Sequence, residues 1–190
     1  MAAEQLRSPW ETSAFVDCMS MSAPVNFAGY GVGADHFRSL AASLPTGVSV
    51  ITTADKDGSP AGMTSGAVCS VSCAPPLLLT CMALGSRTLA ALTSRKSFVV
   101  NVLAADSAAL AARFASREKD KFASVAWSPG SHRLPVLTEG TVAHAVCELY
   151  RIVNAGDHAI VIGLILDGEH RPGISPLMYF RRAYSGFPVD

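Results

Sequence analysis

The chain is poor in charge and in aromatic rings: 16% of its 190 residues are Asp, Glu, Lys or Arg, and 7% are Phe, Trp or Tyr. Fifteen basic residues balance fifteen acidic ones, so the formal net charge is zero. Without a cationic excess there is no electrostatic footprint for nucleic acid or an anionic membrane surface, and neither is expected as a partner. No apolar run approaches the roughly 20 residues that a spanning helix needs. Met1 to Trp10 lacks the basic-then-apolar layout of a secretory leader. The sequence has no Gly-x-Ser-x-Gly elbow, no His-Glu-x-x-His, no Walker loop and no Rossmann glycine pattern. Gly29-Tyr30-Gly31-Val32-Gly33 has the wrong spacing for a dinucleotide fingerprint, and no strand precedes it.

Cysteine is sparse too. Cys18, Cys69, Cys73, Cys81 and Cys147 are an odd number, several of them in apolar, strand-like contexts. That pattern predicts reduced, buried thiols in a cytoplasmic protein. Cys69 and Cys73 lie four apart with no second Cys/His pair at zinc spacing, so no metal is expected.

What remains is an apolar chain, 49% hydrophobic, long enough for one domain with a real core. Residues 1–34 mix Ser, Pro, Met and Gly and read as a partly flexible extension. Residues 35–190 read as the domain. Asp35 can cap a short helix with Phe37, Leu40, Ala41 and Leu44 on its apolar face, stopped by Pro45. Gly47 to Thr53 alternates as a strand, and Lys56-Asp57-Gly58 is a hairpin signal. Ala61 to Ser72 is one extended stretch, rich in small hydroxyl residues, ended by Pro75-Pro76. Strands follow at Leu77 to Met82 and Ser97 to Leu103. Helices are predicted over Thr88 to Thr93, capped by Ser86, and over Asp106 to Ser116, before a charged stretch from Arg117 to Lys121. Two long strands, Gly140 to Asn154 and His158 to Asp167, precede an aromatic, basic tail. Many strands with few short helices predict a mainly β fold with helices (β+α), a barrel with helical decoration.

Several groups could carry chemistry. Gly156-Asp157-His158 is a turn at the mouth of an apolar strand, which fixes an acid and an imidazole on a rigid rim. His144 lies on the preceding strand, and together the two imidazoles suggest a pocket for a flat, polar, aromatic ligand. In Gly62 to Ser72, small residues let a ligand approach the backbone and hydroxyls can satisfy phosphate oxygens; a tight bend in a barrel strand explains them equally well. Gly85-Ser86-Arg87-Thr88 opens a helix, where an anion is favoured, or is simply a cap with a solvated arginine. Asn101, inside an apolar strand, either meets a ligand carbonyl or ties down a neighbouring loop. Tyr179 with Arg181-Arg182 could clamp a ring and a phosphate, or pack as a tail.

Read in order, these segments resemble the short-chain flavin reductases that serve two-component monooxygenases. The matching pieces are Phe37-Arg38, Pro45-Thr46-Gly47-Val48, Asp57-Gly58, Gly62-Met63-Thr64-Ser65 and Ser70-Val71-Ser72. They continue with Pro75-Pro76-Leu77, Ser86-Arg87-Thr88, Phe98 to Leu103, Gly156-Asp157-His158 and the tail from Pro176 to Tyr184. The resemblance implies a flavin-binding split β-barrel of Greek-key type. It implies reduction of FAD, with FMN as the alternative, by hydride from NADH, and delivery of reduced flavin to a separate flavin-dependent monooxygenase. A homodimer is implied. A flavin-binding electron carrier or sensor without turnover is the alternative function. Pro45, Thr46, Thr64, Ser65 and Gly66 would hold the ring. Ser70, Val71 and Ser72, with Ser86, Arg87 and Thr88, would hold the phosphates, and Asn101 would lie near the ring's pyrimidine end. His144, Asp157, His158, Tyr179 and Arg181 would form the nicotinamide side, with His158 positioning the nicotinamide. Two residues depart from the pattern: Gly66, where relatives often carry an amide or hydroxyl, and Cys69, where Ser or Thr is common. The extension is longer than the family core.

Overall fold

The structure, a computed structural model, describes residues 31–188. Most of the expected extension, residues 1–34, and Cys18 therefore lie outside the described residues. The chain divides into a short N-terminal unit, residues 1–37, and a body, residues 38–190. Helix α1, Ala34–Ala41, spans that boundary.

Twelve strands and three helices follow one another along the described chain. Seven strands form the main sheet: β3 (Pro60–Ser65), β2 (Ser49–Ala54), β6 (Ser97–Leu103), β9 (Thr141–Ala155), β10 (His158–His170), β5 (Pro76–Ala83) and β4 (Val68–Cys73), in that spatial order and all antiparallel. A small sheet pairs β1 (Thr46–Gly47) with β11 (Leu177–Phe180) and β12 (Ala183–Gly186). Strands β7 (Trp127–Pro129) and β8 (Pro135–Leu137) make a short hairpin.

β3 and β4 are consecutive in the chain yet stand at opposite edges of the main sheet. Only Gly66 and Ala67 join them, so the sheet must curl until its edges nearly meet. Across the gap, the Ser65 hydroxyl at the end of β3 lies 3.0 Å from the Thr80 hydroxyl of β5, and the Cys81 N–H donating to the Ala67 carbonyl carries the β4–β5 ladder back to the crossing. No ladder joins β3 to β4, and this opening makes the barrel split. The expected single stretch from Ala61 to Ser72 is therefore two strands, divided where the chain crosses between edges.

Side-chain alternation sorts the core. Ile51, Phe98 and Val100 join Met82, Cys147 and Val161 in one cluster, into which helix α2 (Arg87–Arg95) sets Leu89 and Leu92. Their neighbours on the opposite face, Val50 and Leu103, pack with Ala111 and Phe114 of helix α3 (Ala108–Ala115) and with Leu177. Val99 meets Leu134, Val136 and Val146. The period of two along β2 and β6 thus buries both faces of the sheet.

The cysteines depart from expectation. Among the described residues all are free thiols, but Cys69 and Cys73 are exposed because β4 is an edge strand. Cys147 is buried, and burial pushes its thiol up to about 12, so it stays uncharged and unreactive.

At Gly163 the β9–β10 ribbon passes directly over the core. A Cβ there would lie 2.5 Å from Phe98 Cζ and 2.9 Å from Cys147 Cβ, closer than side chains pack. Gly163→Ala should lower the free energy of unfolding by about 1–3 kcal/mol through overpacking, read as a lower urea midpoint. An unchanged midpoint would show that Phe98 has room to move.

Candidate active site

The carboxyl end of β5 gathers the residues of interest along one rim. Thr80 touches Ser65 of the β3–β4 bend. Ala83 is the register partner of His158, and the Leu84 N–H donates to the Asp157 carbonyl. Gly85 and Ser86 then lead into α2. One strand end therefore supports the bend, the β9–β10 turn and a helix start.

Beyond the bend lies a small polar and aromatic floor. Thr46 and Tyr179 are register partners. Gly66 packs on Thr46 so closely that a Cβ would sit 2.9 Å from Thr46 Oγ1. A side chain at this position would have to displace the Thr46 hydroxyl. The Tyr179 ring lies 5.1 Å from that of Tyr184, whose hydroxyl burial and the neighbouring Tyr179 hold above its ordinary pKa.

A cleft of about 860 Å3 opens between β3, the start of α2, the end of α3 and residues 116–122. Thr64, Ser86, Arg87 and Thr88 line it. Ser86 caps α2, its hydroxyl accepting from the Leu89 N–H at 3.4 Å. Arg87 donates to the Glu118 carbonyl at 3.2 Å, which ties the loop after α3 to the start of α2. Sequence reasoning missed three further lining residues, Arg117, Lys119 and Lys121. Lys121 Nζ donates to the Phe114 carbonyl at 2.7 Å and reaches the Gly62 carbonyl at 3.4 Å. Burial, and then the nearby Arg87 charge, hold its ammonium below the usual lysine range, with Glu118 opposing. The only signal in the sequence was the alternation of charge in Arg117-Glu118-Lys119-Asp120-Lys121, which reads as a solvated stretch.

At the other end of the rim, Gly156 turns the chain at φ +62°. His158 Nδ1 lies 2.7 Å from Asp157 Oδ1. The hydrogen bond and charge of His158 hold the Asp157 carboxyl below its ordinary range. With Nδ1 held by the acid, the ring's orientation is set by its neighbour.

Other expected members lie apart. Asn101 is fully buried: its amide donates to the Val50 carbonyl and Thr52 Oγ1, each at 3.0 Å, and its oxygen accepts from the Leu137 N–H at 3.0 Å. Every polar atom of that side chain is spent on β2 and β8, so Asn101 ties down the β7–β8 hairpin. The Ser65 hydroxyl is likewise engaged, with Thr80 and with the Ala67 N–H. His144 pairs with Glu169, eleven residues beyond His158 along β10. That is about 35 Å of strand, so one chain does not bring the two imidazoles together. His144 instead helps, behind the hydrogen bonds from Ser131 and the Gly168 N–H, to hold the Asp167 carboxyl below its usual range. Ser70 and Ser72 flank a bulge at Val71 on the edge strand and do not line the cleft.

The model of the flavin reductase like domain matches residues 41–188. The chain belongs to the flavin reductase like family. A "Flavin reductase (NADH)" of Kitasatospora aureofaciens is 48% identical over 172 residues, 90% of each chain. The reductase subunit of a flavin-dependent monooxygenase of Rhodococcus jostii (strain RHA1) is 37% identical, covering 81% of this chain and 78% of its own. Among solved structures, an NADH:FAD oxidoreductase of Streptomyces globisporus C-1027, in complex with NAD and FAD fragments, superposes with a TM-score of 0.77 at 31% identity, covering 82% of this chain and 93% of its own. The mainly β fold is shared with that oxidoreductase.

If Asn101 is a structural tie, Asn101→Ala should destabilise the fold by about 2 kcal/mol or more, because the buried Leu137 N–H loses its acceptor. In the folded variant the FAD Kd should stay within about twofold. Retained stability with a large rise in Kd would return Asn101 to the flavin site.

Proposed function

We propose that this enzyme oxidises NADH, reduces FAD, with FMN as the alternative acceptor, and releases reduced flavin to a separate flavin-dependent monooxygenase. The observation that carries the reading is the single rim on which the Thr46–Gly66–Tyr179 floor, the cationic cleft and the Asp157–His158 pair stand side by side. The named relatives include both an NADH-dependent flavin reductase and a monooxygenase reductase subunit, which supports it.

The donor set suits a flavin. Bound here, the flavin supplies a ring that accepts a hydride from NADH. Pro45, Thr46 and the backbone from Thr64 to Gly66 would hold the ring, where peptide N–H groups would stabilise negative charge on it. Ser86, Arg87 and Thr88 hold phosphate oxygens. His158, oriented by Asp157, positions the nicotinamide carboxamide, with Tyr179 and Arg181 on the same side. Alignment of two stacked rings is the main demand, and no side chain needs to act as an acid or base.

The reading includes a homodimer. Leu40, Leu44, Phe180 and Phe187 are exposed apolar side chains, more than half exposed at Leu40, Leu44 and Phe187, and a second copy would cover them. A second copy is also how His144 or Ser70 to Ser72 would reach a flavin that their own chain keeps from them. No helix among the described residues is long and apolar enough to cross a membrane. The reading puts the enzyme in the cytoplasm, in keeping with its free thiols.

Protein mixed with excess FAD and NADH under nitrogen should bleach the flavin's visible band over many turnovers. A single stoichiometric bleach would mean an electron carrier instead. His158→Ala should raise the KM for NADH about tenfold, the worth of one hydrogen bond to a polar ligand group, and leave the FAD Kd unchanged. Unchanged KM and kcat would remove His158 from the nicotinamide side.

A further inference from the structure

The sulfur of Met63 is a group that the roles above do not use. Met63 stands on β3, is half-buried and lines the cleft together with Ser86 and Arg87. The Ser86 hydroxyl donates to its Sδ at 3.3 Å, while the same oxygen accepts from the Leu89 N–H at 3.4 Å. Met63 also packs against the core cluster that includes Leu89 and Leu92 of α2. One thioether therefore touches both the cap of α2 and the cluster into which that helix sets its leucines. Sulfur deeper in the same cluster is shut away: Met82 and Cys147 are fully buried.

A hydroxyl has one proton to donate, and a thioether is a weak acceptor. Ser86 therefore gives up Met63 readily when a phosphate oxygen offers a charge-assisted bond. Oxidation of the sulfur reverses that preference. A sulfoxide oxygen is polar and a strong acceptor, and it needs room beside a side chain already packed on the core. The Ser86 proton then stays with Met63, and the start of α2 is disturbed. Flavin reduction brings the oxidant with it. Reduced flavin that meets dioxygen instead of an oxygenase passes on two electrons and two protons, so that FADH2 and O2 become FAD and hydrogen peroxide. Peroxide transfers one oxygen atom to the thioether: its O–O bond breaks, an S=O bond forms, sulfur loses two electrons and water leaves.

We infer that Met63 is an oxidative modification site: peroxide formed by stray reduced flavin converts it to the sulfoxide, and the sulfoxide weakens flavin binding by holding the Ser86 hydroxyl. The by-product of uncoupled turnover thereby slows the reaction that makes it, and a methionine sulfoxide reductase restores the enzyme. The inference rests on the flavin-reducing function proposed above, with Ser86 as a phosphate ligand, and adds to it a residue through which that site is regulated.

Peptide mapping by mass spectrometry, with titration calorimetry, tests it on the full chain. Protein treated with hydrogen peroxide should gain one oxygen atom on Met63, and its FAD Kd should rise about tenfold, the worth of one hydrogen bond to a charged group. Turnover with NADH and FAD in air should mark the same residue, and added catalase should prevent it. Methionine sulfoxide reductase with dithiothreitol should restore the affinity, and dithiothreitol alone should not. The variant M63L has no sulfur at this place, so peroxide should leave its FAD Kd within about twofold of its own untreated value. Affinity lost with Met63 unmodified, Met63 oxidised with affinity unchanged, or M63L losing affinity as the unaltered protein does would each overturn the inference. Recovery with dithiothreitol alone would assign the effect to the exposed thiols of Cys69 or Cys73 and overturn it too. Flavin reduction over many turnovers under nitrogen, where no peroxide forms, would leave the proposed function standing in any of those events. If neither FAD nor FMN binds the untreated protein, both fall.

Discussion

The two-residue crossing at Gly66 and Ala67 is the constraint on which the rest of the molecule depends. It joins strands that stand at opposite edges of a seven-stranded sheet. Ser65 and Val68 are three residue steps apart, a reach of only about 10 Å, so the sheet has no choice but to curl. The Ser65–Thr80 contact ties the end of β3 to β5 at that point, and the Cys81–Ala67 hydrogen bond extends the β4–β5 ladder up to it. No ladder joins the two edges, and the barrel stays split. The same crossing presses Gly66 onto Thr46, the place proposed above for the flat ring.

The rim follows from this closure. β5 is bound to β4 on one side and to β10 on the other, so its end is rigid. That rigidity passes to the bend, to the Asp157–His158 turn and to the start of α2. Chemistry that requires two rings to lie in contact, without proton transfer by a side chain, is served by such a platform. The charge that the site provides comes from elsewhere. Arg87 links α2 to the loop after α3, and Lys121 links that loop to β3 and to the end of α3. A chain with no net charge thereby concentrates four cations in one cleft.

Much of this was legible in the residues. β5 and β6 are apolar runs with clear boundaries, Ser86 announces a helix cap, and Gly156-Asp157 announces a turn. The division of β3 from β4 was signalled only by Ser65-Gly66, which reads as a bend within one strand as readily as a break between two. The hairpin of β11 and β12 was hidden because its turn is Arg181-Arg182, both at positive φ, where glycine or asparagine is the usual signal. Periodicity assigned His144 to a strand face but could not measure its distance along the ribbon from His158; register alone does that. Asn101 illustrates the same limit. A buried amide announces that it has partners, and only the fold shows that they are Val50, Thr52 and Leu137.

Hydrogen–deuterium exchange with and without FAD tests the placement of the flavin most directly. The account predicts slowed exchange at the Gly66–Ala67 bend, at residues 84–87 and at residues 116–121, with no change in the β7–β8 hairpin beside Asn101. Protection confined to other parts of the barrel, with those three segments unaffected, would contradict it.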